Sequence, residues 1–173
     1  MQEAKEKIGM YMEPKQKSFE EKLAFGKEGE HEVGEYFMRR GYSLLPLYQF
    51  SEDLAPKIYN DGGVIISPDI FVAGLKKAFW VEVKTKNRWI KYLGNLETGL
   101  NERHFNEYLR INRKTELPVY VVFNHKEDMP NGFYFVEITT PFQRIWDGIN
   151  RANGKRISPP LVLWRIEMLT KIL

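Results

Sequence analysis

Residues 117–123, LPVYVVF, are almost wholly apolar. A strand with one wet face alternates apolar and polar side chains, so a near-continuous run fits a strand covered on both faces. Upstream, residues 78–86 read AFWVEVKTK and do alternate. Between these runs, residues 101–114 carry Phe105, Tyr108, Leu109 and Asn112 at helical spacing on one side. Strand, helix and strand in this order predict a crossover that joins two parallel strands. The chain is therefore expected to build an α/β layer structure around a mixed sheet.

The flanking segments extend this reading. Ser18 and Glu21 have the spacing of a capping box, and a helical pattern runs on to about Arg40, with Gly41 placed to end it. Residues 42–50 read as extended, and 51–61 hold turn formers that end in Asn60-Asp61-Gly62-Gly63. Short apolar runs follow at 64–66 and 69–73, and Gly74-Leu75-Lys76-Lys77 suits a hairpin turn into the 78–86 strand. Beyond residue 123 we expect a strand at 133–138, a short helix at 142–149 and an extended segment at 161–168. The polar residues 1–17, broken by Pro14, read as an N-terminal arm or a frayed helix, and 18–173 as one domain.

Composition removes several function classes. The 173 residues are 43% hydrophobic and 14% aromatic, enough for a packed interior. There is no cysteine, which excludes disulfides, thiolate zinc sites and a cysteine nucleophile and suits a cytoplasmic location. No leader-like apolar core opens the sequence and no stretch is long enough to span a membrane. His31, His104 and His125 lack metal-ligand spacing. A net charge of +3 permits binding to nucleic acid without arguing for it.

The chemistry concentrates on residues 78–86. Phe79, Val81, Val83 and Thr85 share one face of the strand, and Trp80, Glu82, Lys84 and Lys86 share the other. Glu82 and Lys84 thus stand side by side on a rigid element, either as a surface ion pair or as part of a site. Asp69 opens the preceding short strand, and a tight turn between the two strands would lay it across from Glu82, unless it only serves the turn after Pro68. Two carboxylates so close repel each other unless a cation lies between them, and their oxygens suit a hard ion such as Mg²⁺. Glu30 falls on the helical stripe of Gly26, Val33 and Phe37, so it projects from an apolar face or else sits in a first helical turn. Gly26 and Gly29 would let this helix approach the sheet.

Gly29-Glu30 on a helix, Pro68-Asp69, and Glu82-Val83-Lys84 on a strand, in this order, resemble the PD-(D/E)xK nuclease superfamily. Within it the likeness is to archaeal Holliday-junction resolvases and to small bacterial relatives with a GxxGE helix and an EVKxR strand. It covers roughly residues 26–123. It implies a restriction-endonuclease-like fold, a mixed sheet core of α-β-β-β-α-β order flanked by helices, with C-terminal additions. It implies a metal-dependent DNA endonuclease, structure-selective or weakly sequence-selective, using Mg²⁺ with Mn²⁺ as a substitute. Asp69, Glu82 and the Val83 carbonyl would ligate the ion. Glu30 would hold a metal-bound water or a second ion, and Lys84 would position or activate the attacking water. His104 or Tyr108 would supply a polar group from the following helix. One departure is the insertion at 51–67, whose Asp53 and Asp61 bring Asp61 forward as a rival ligand.

Lys86, Arg88 and Lys91 around Trp89 and Tyr92 offer phosphate contacts and a ring for base stacking, or form only a solvated charged loop. His104 and Tyr108 join this expected DNA surface. A homodimer would bring the second site that a two-stranded target calls for. The competing expectations are a non-catalytic DNA- or protein-binding module on the same fold, and an α+β interaction domain in which Glu82 and Lys84 are a surface pair.

Overall fold

In a computed structural model the protein is described over residues 19–47, 57–60, 63–149 and 154–172. Asp53, Asp61, Ser18 and the arm at 1–17 lie outside the described residues. The elements in chain order are α1 (Phe19–Met38), β1 (Ser43–Pro46), β2 (Lys57–Asn60), β3 (Gly63–Ile66), β4 (Ile70–Ala73), β5 (Ala78–Lys86), β6 (Ile90–Tyr92) and β7 (Asn95–Asn101). They continue with α2 (Glu102–Thr115), β8 (Val119–His125), β9 (Gly132–Glu137), β10 (Arg144–Trp146), β11 (Leu161–Arg165), a 3-10 turn (Ile166–Met168) and β12 (Thr170–Lys171).

The main sheet has the order β1-β4-β5-β8-β9-β12. The β5–β8 pair is parallel, in register from Trp80–Val119 to Lys86–His125, and every other pair in this sheet is antiparallel. The predicted crossover through α2 is therefore present. Both faces of the sheet are covered. Val33 of α1 packs with Ile70, Val72, Phe79, Val81, Val83 and Val122 on one side. On the other, Val119, Val121 and Phe123 meet Phe105, Tyr108 and Ile111 of α2. The run LPVYVVF thus divides its side chains between two cores, which is why it tolerates no charged residue. Each fully buried residue of this size contributes about 1.5–3 kcal/mol.

Local chemistry sets the helix positions. A Cβ on Gly29 would fall 1.9 Å from Thr85 Oγ1, so α1 crosses β5 at a distance that only glycine permits. Gly26 has no neighbour within 4 Å of such a Cβ, so it plays no part in this approach. Asn101 caps α2 by accepting from the Arg103 amide at 2.9 Å. The helix ends at Glu116 in the left-handed conformation, with Asn112 donating to the Leu117 carbonyl at 2.9 Å.

A second, wholly antiparallel sheet of order β10-β11-β7-β6 packs beside α2, with Leu100, Val162 and Trp164 in the shared core. It corrects two expectations. The helix expected over 142–149 is the strand β10, because Arg144 and Trp146 turn inward on either side of an exposed Ile145, a period of two, while β11 supplies the hydrogen-bonding edge. The extended segment expected over 161–168 stops at Arg165 and turns into the 3-10 segment.

Candidate active site

β5 lies inside the main sheet, and its two faces differ as the alternation requires. Glu82 is 1% exposed, so it is not half of a surface ion pair. Lys84, two residues on and on the same face, forms an ion pair with Glu82 Oε1. Antiparallel pairing of Ile70 with Val81 leaves Asp69, just before β4, beside Glu82. Asp69 is held there twice. Its carbonyl accepts from the Leu47 amide at 3.0 Å, and its Oδ2 accepts from the Val83 amide at 2.8 Å. Both backbone polar groups of a strand residue point to the same edge. Trp80 gives its amide to Pro118 on the β8 side. Val83, three residues on, therefore directs its carbonyl as well as its amide toward Asp69.

Glu30 of α1 joins these groups electrostatically. Burial pushes its carboxyl up to about 7; the nearby Lys84 opposes this and Glu82 adds to it. Asp69 is raised well above the usual carboxylate range, first by burial and then by the charge of Glu82, with Lys84 opposing. For Lys84, burial favours loss of the proton, but Glu82, Asp69 and Glu30 together outweigh it and hold the ammonium above its ordinary value. Glu82 Oε2 and Glu30 Oε2 are both buried without a hydrogen-bond partner. Buried carboxylate oxygens are costly to leave unmatched, so the cluster has unused capacity for positive charge.

α2 walls the site. Tyr108 is buried, and its phenol is held protonated by burial, then by Glu82 and Asp69, with a hydrogen bond to Glu82. His104, one turn earlier, is lowered by burial and by Lys84, and its Nδ1 is buried without a partner. These two residues therefore face the acids, and Tyr108 is not a surface contact for DNA. Lys86 is half-buried, and burial together with Lys84 lowers it to about 8.

The expected stacking role of Trp89 is also corrected. The indole is 4% exposed and lies flat on His125, with ring centroids 3.6 Å apart and planes at 1°, while its Nε1 donates to the Pro130 carbonyl at 3.0 Å. No base can reach it. The loop was expected to carry both its rings and its charges outward, but the ring of Trp89 is apolar enough to complete a core behind β8. Arg88, Lys91 and Tyr92 remain exposed.

Among the described residues, no three acidic or histidine side chains stand together as a ready-made ligand set. Lys84 sits on Glu82 where a shared cation would compete. The donor chemistry nevertheless fits a hard divalent ion: carboxylates from α1, β5 and the residue before β4, two orphaned oxygens, and pKa values raised first by burial and then by neighbouring carboxylates.

No protein-family model matches the chain, and no curated protein matches it in sequence. Among solved structures it is similar to Hjc, a Holliday junction resolvase from the archaeal hyperthermophile Archaeoglobus fulgidus. The TM-score is 0.53 at 11% identity, over 85% of this chain and 91% of that one. D212, a nuclease from a fusselovirus, aligns with a TM-score of 0.43 at 10% identity over 86% and 85% of the two chains. The chain thus has the fold of Hjc, the restriction-endonuclease-like nuclease fold expected from the order of its motifs.

Proposed function

We propose that this protein is a DNA endonuclease that hydrolyses phosphodiester bonds with Mg²⁺, or with Mn²⁺ in its place. The observation that carries this reading is buried Glu82 with half-buried Asp69, Glu30 and Lys84 around it, and two buried carboxylate oxygens unpartnered. A purely structural cluster of acids would be neutralised by its own partners. The fold of Hjc, a resolvase of branched DNA, supports the reading and makes a branched duplex the first substrate to try.

Asp69, Glu82 and the Val83 carbonyl would hold the ion, with Glu30 at a water or a second ion, and the ion would supply Lewis acidity and positive charge to the phosphoryl oxygens. The remaining work falls to the chain's own groups. Lys84 stays protonated at neutral pH and places a cation beside the phosphate, where negative charge grows in the transition state. Glu30, beside the water that the ion would hold, would accept the proton released when that water forms its bond to phosphorus. The bond to the leaving sugar oxygen breaks, and that oxygen takes up a proton. Tyr108 keeps its proton and orients Glu82. Arg88, Lys91 and half-buried Lys86 would neutralise flanking phosphates, a role not dependent on base sequence.

The test is cleavage of supercoiled plasmid, single-stranded DNA and a four-way junction, with Mg²⁺, Mn²⁺ or a chelator. Cleavage should require metal, and Asp69→Ala, Glu82→Ala and Lys84→Met should each lower the rate about a hundredfold or more. Metal-independent cleavage, or full activity in Glu82→Ala, would remove this reading. Binding to DNA without cleavage under any metal would leave a non-catalytic module.

A further inference from the structure

β6 and β7 pair from Ile90–Glu97 to Tyr92–Asn95, so the chain reverses in two residues, Leu93 and Gly94. Both have positive φ, 47° and 78°. Such turns favour Asn-Gly or Gly-Gly, because a bulky side chain strains the left-handed region. A leucine there costs roughly 1–2 kcal/mol. No apolar packing among the described residues returns that cost: Leu93 is 82% exposed and belongs to neither core. The turn therefore carries a strained apolar side chain at its tip and offers it to solvent.

The surroundings indicate what the tip meets. Lys91 and Tyr92 precede it and are exposed, and Arg88 lies at the foot of the hairpin. The stem is braced. The Arg144 guanidinium lies 3.9 Å from the centre of the Tyr92 ring, and Glu97, buried in β7, accepts from Arg144 Nη2 at 2.8 Å. Asn95 Nδ2 donates to the Leu93 carbonyl at 3.3 Å and holds the tip itself. The hairpin leaves the sheet from the end of β5 that carries Lys84. Leu93 lies nine residues beyond Lys84, so it is at most about 32 Å away, roughly ten base pairs of duplex. Cations for phosphates, a rigid stem and an apolar point together suit a double helix in which a base step can open.

We propose that Leu93 is a wedge that enters between bases of the DNA held at the active site. The proposal rests on the nuclease reading and deepens it by naming what would select the substrate. Unstacking a base step costs a few kcal/mol in regular duplex and less where stacking is already interrupted. A wedge within about 32 Å of Lys84 therefore favours branched or distorted DNA without reading its sequence. Leu75 provides an internal comparison. It is also fully exposed in a hairpin turn, but its φ is ordinary and it precedes β5, at the end away from Lys84.

The test separates binding from cleavage. A four-way junction carrying 2-aminopurine beside the branch is titrated with full-length Lys84→Met protein in chelator, and anisotropy and 2-aminopurine fluorescence are read together. Binding should bring a several-fold rise in fluorescence. Adding Leu93→Asn, which suits the turn better, should abolish the rise while thermal stability is kept or increased. Adding Leu75→Asn should leave the rise intact. In the active protein, Leu93→Asn should lower the ratio of junction to linear-duplex cleavage about tenfold. An undiminished rise with Leu93→Asn, an equal loss with Leu75→Asn, or tight binding with no rise in the parent each overturns the wedge and leaves the nuclease reading standing. Absence of any DNA binding overturns both.

Discussion

Glu82 and Glu97 are both glutamates buried within strands, and they are satisfied in opposite ways. Glu97, 0% exposed, meets one guanidinium with both oxygens: Arg144 Nε stands 3.1 and 3.4 Å from them and Nη2 2.8 Å from one. Arg144 in turn lies over Tyr92, so the pair is closed. Glu82 has the Lys84 ammonium on Oε1 and the Tyr108 phenol nearby, yet its Oε2 is buried without a hydrogen-bond partner, and the charges of Asp69 and Glu30 act on the same region. Burial of charge is completed in the second sheet and left incomplete in the first. The completed pair is architecture, and the incomplete one is where the proposed ion would sit. Removing a partner from a closed buried pair strands the other charge. Glu97→Ala should therefore cost about 3–4 kcal/mol in urea unfolding, toward the low end of the usual range because Arg144 keeps some contact with water. Glu82→Gln should cost far less. Equal losses would erase the distinction.

His125 extends the comparison to pH. Its ring is stacked on Trp89, its Nε2 lies 3.1 Å from Thr98 Oγ1, and burial together with Lys86 lowers it to about 4. The folded state thus binds a proton less readily than the unfolded chain, whose histidine titrates near 6.5. The contribution is complete above 6.5 and is lost as pH falls through that value toward 4, reaching about 2–3 kcal/mol. Glu30 has the opposite sign. Its raised pKa favours the fold at low pH and penalises it as pH rises through 7. Thermal melts of the wild type and His125→Gln between pH 4 and 8 should converge at the acid end. Parallel curves would mean that His125 is not the acid-sensitive group.

How much of this was legible in the sequence follows from whether the information was local. The two strands of the crossover and α2 could be read because alternation and helical spacing are carried by neighbouring residues. For the same reason Asp69, Glu82 and Lys84 could be placed side by side, and the stripe through Val33 and Phe37 pointed Glu30 inward. The second sheet could not be read this way. β7, NLETGLN, is polar by composition, yet four of its residues are buried. Its buried acid is matched by Arg144, 47 residues away. Gly99 is required because a Cβ there would fall 2.5 Å from the Val162 carbonyl oxygen. Trp89 misled for a related reason: its basic neighbours suggested surface, while its partner, His125, is distant in sequence. The Leu93-Gly94 turn left one glycine as its only mark, since leucine is the residue that turn least prefers.

The smallest expected effect tests most directly whether the acidic cluster is incomplete. Asp69→Asn removes one of the crowded charges and keeps an oxygen able to accept from the Val83 amide. At neutral pH in chelator the variant should be more stable than the wild type by about 1 kcal/mol, within the range of other charge-relieving substitutions. Mg²⁺ should reverse the order. An ion that binds the folded state stabilises it by mass action, so the wild-type melting temperature should climb with Mg²⁺ concentration while that of Asp69→Asn stays flat. Asparagine at position 97 provides the counterpart: Glu97→Asn should be destabilised with or without Mg²⁺, because its charge is already matched by Arg144. If Asp69→Asn were as destabilising as Glu97→Asn, Asp69 would be a structural acid like Glu97. The raised pKa values would then reflect burial alone, with no cation to relieve them.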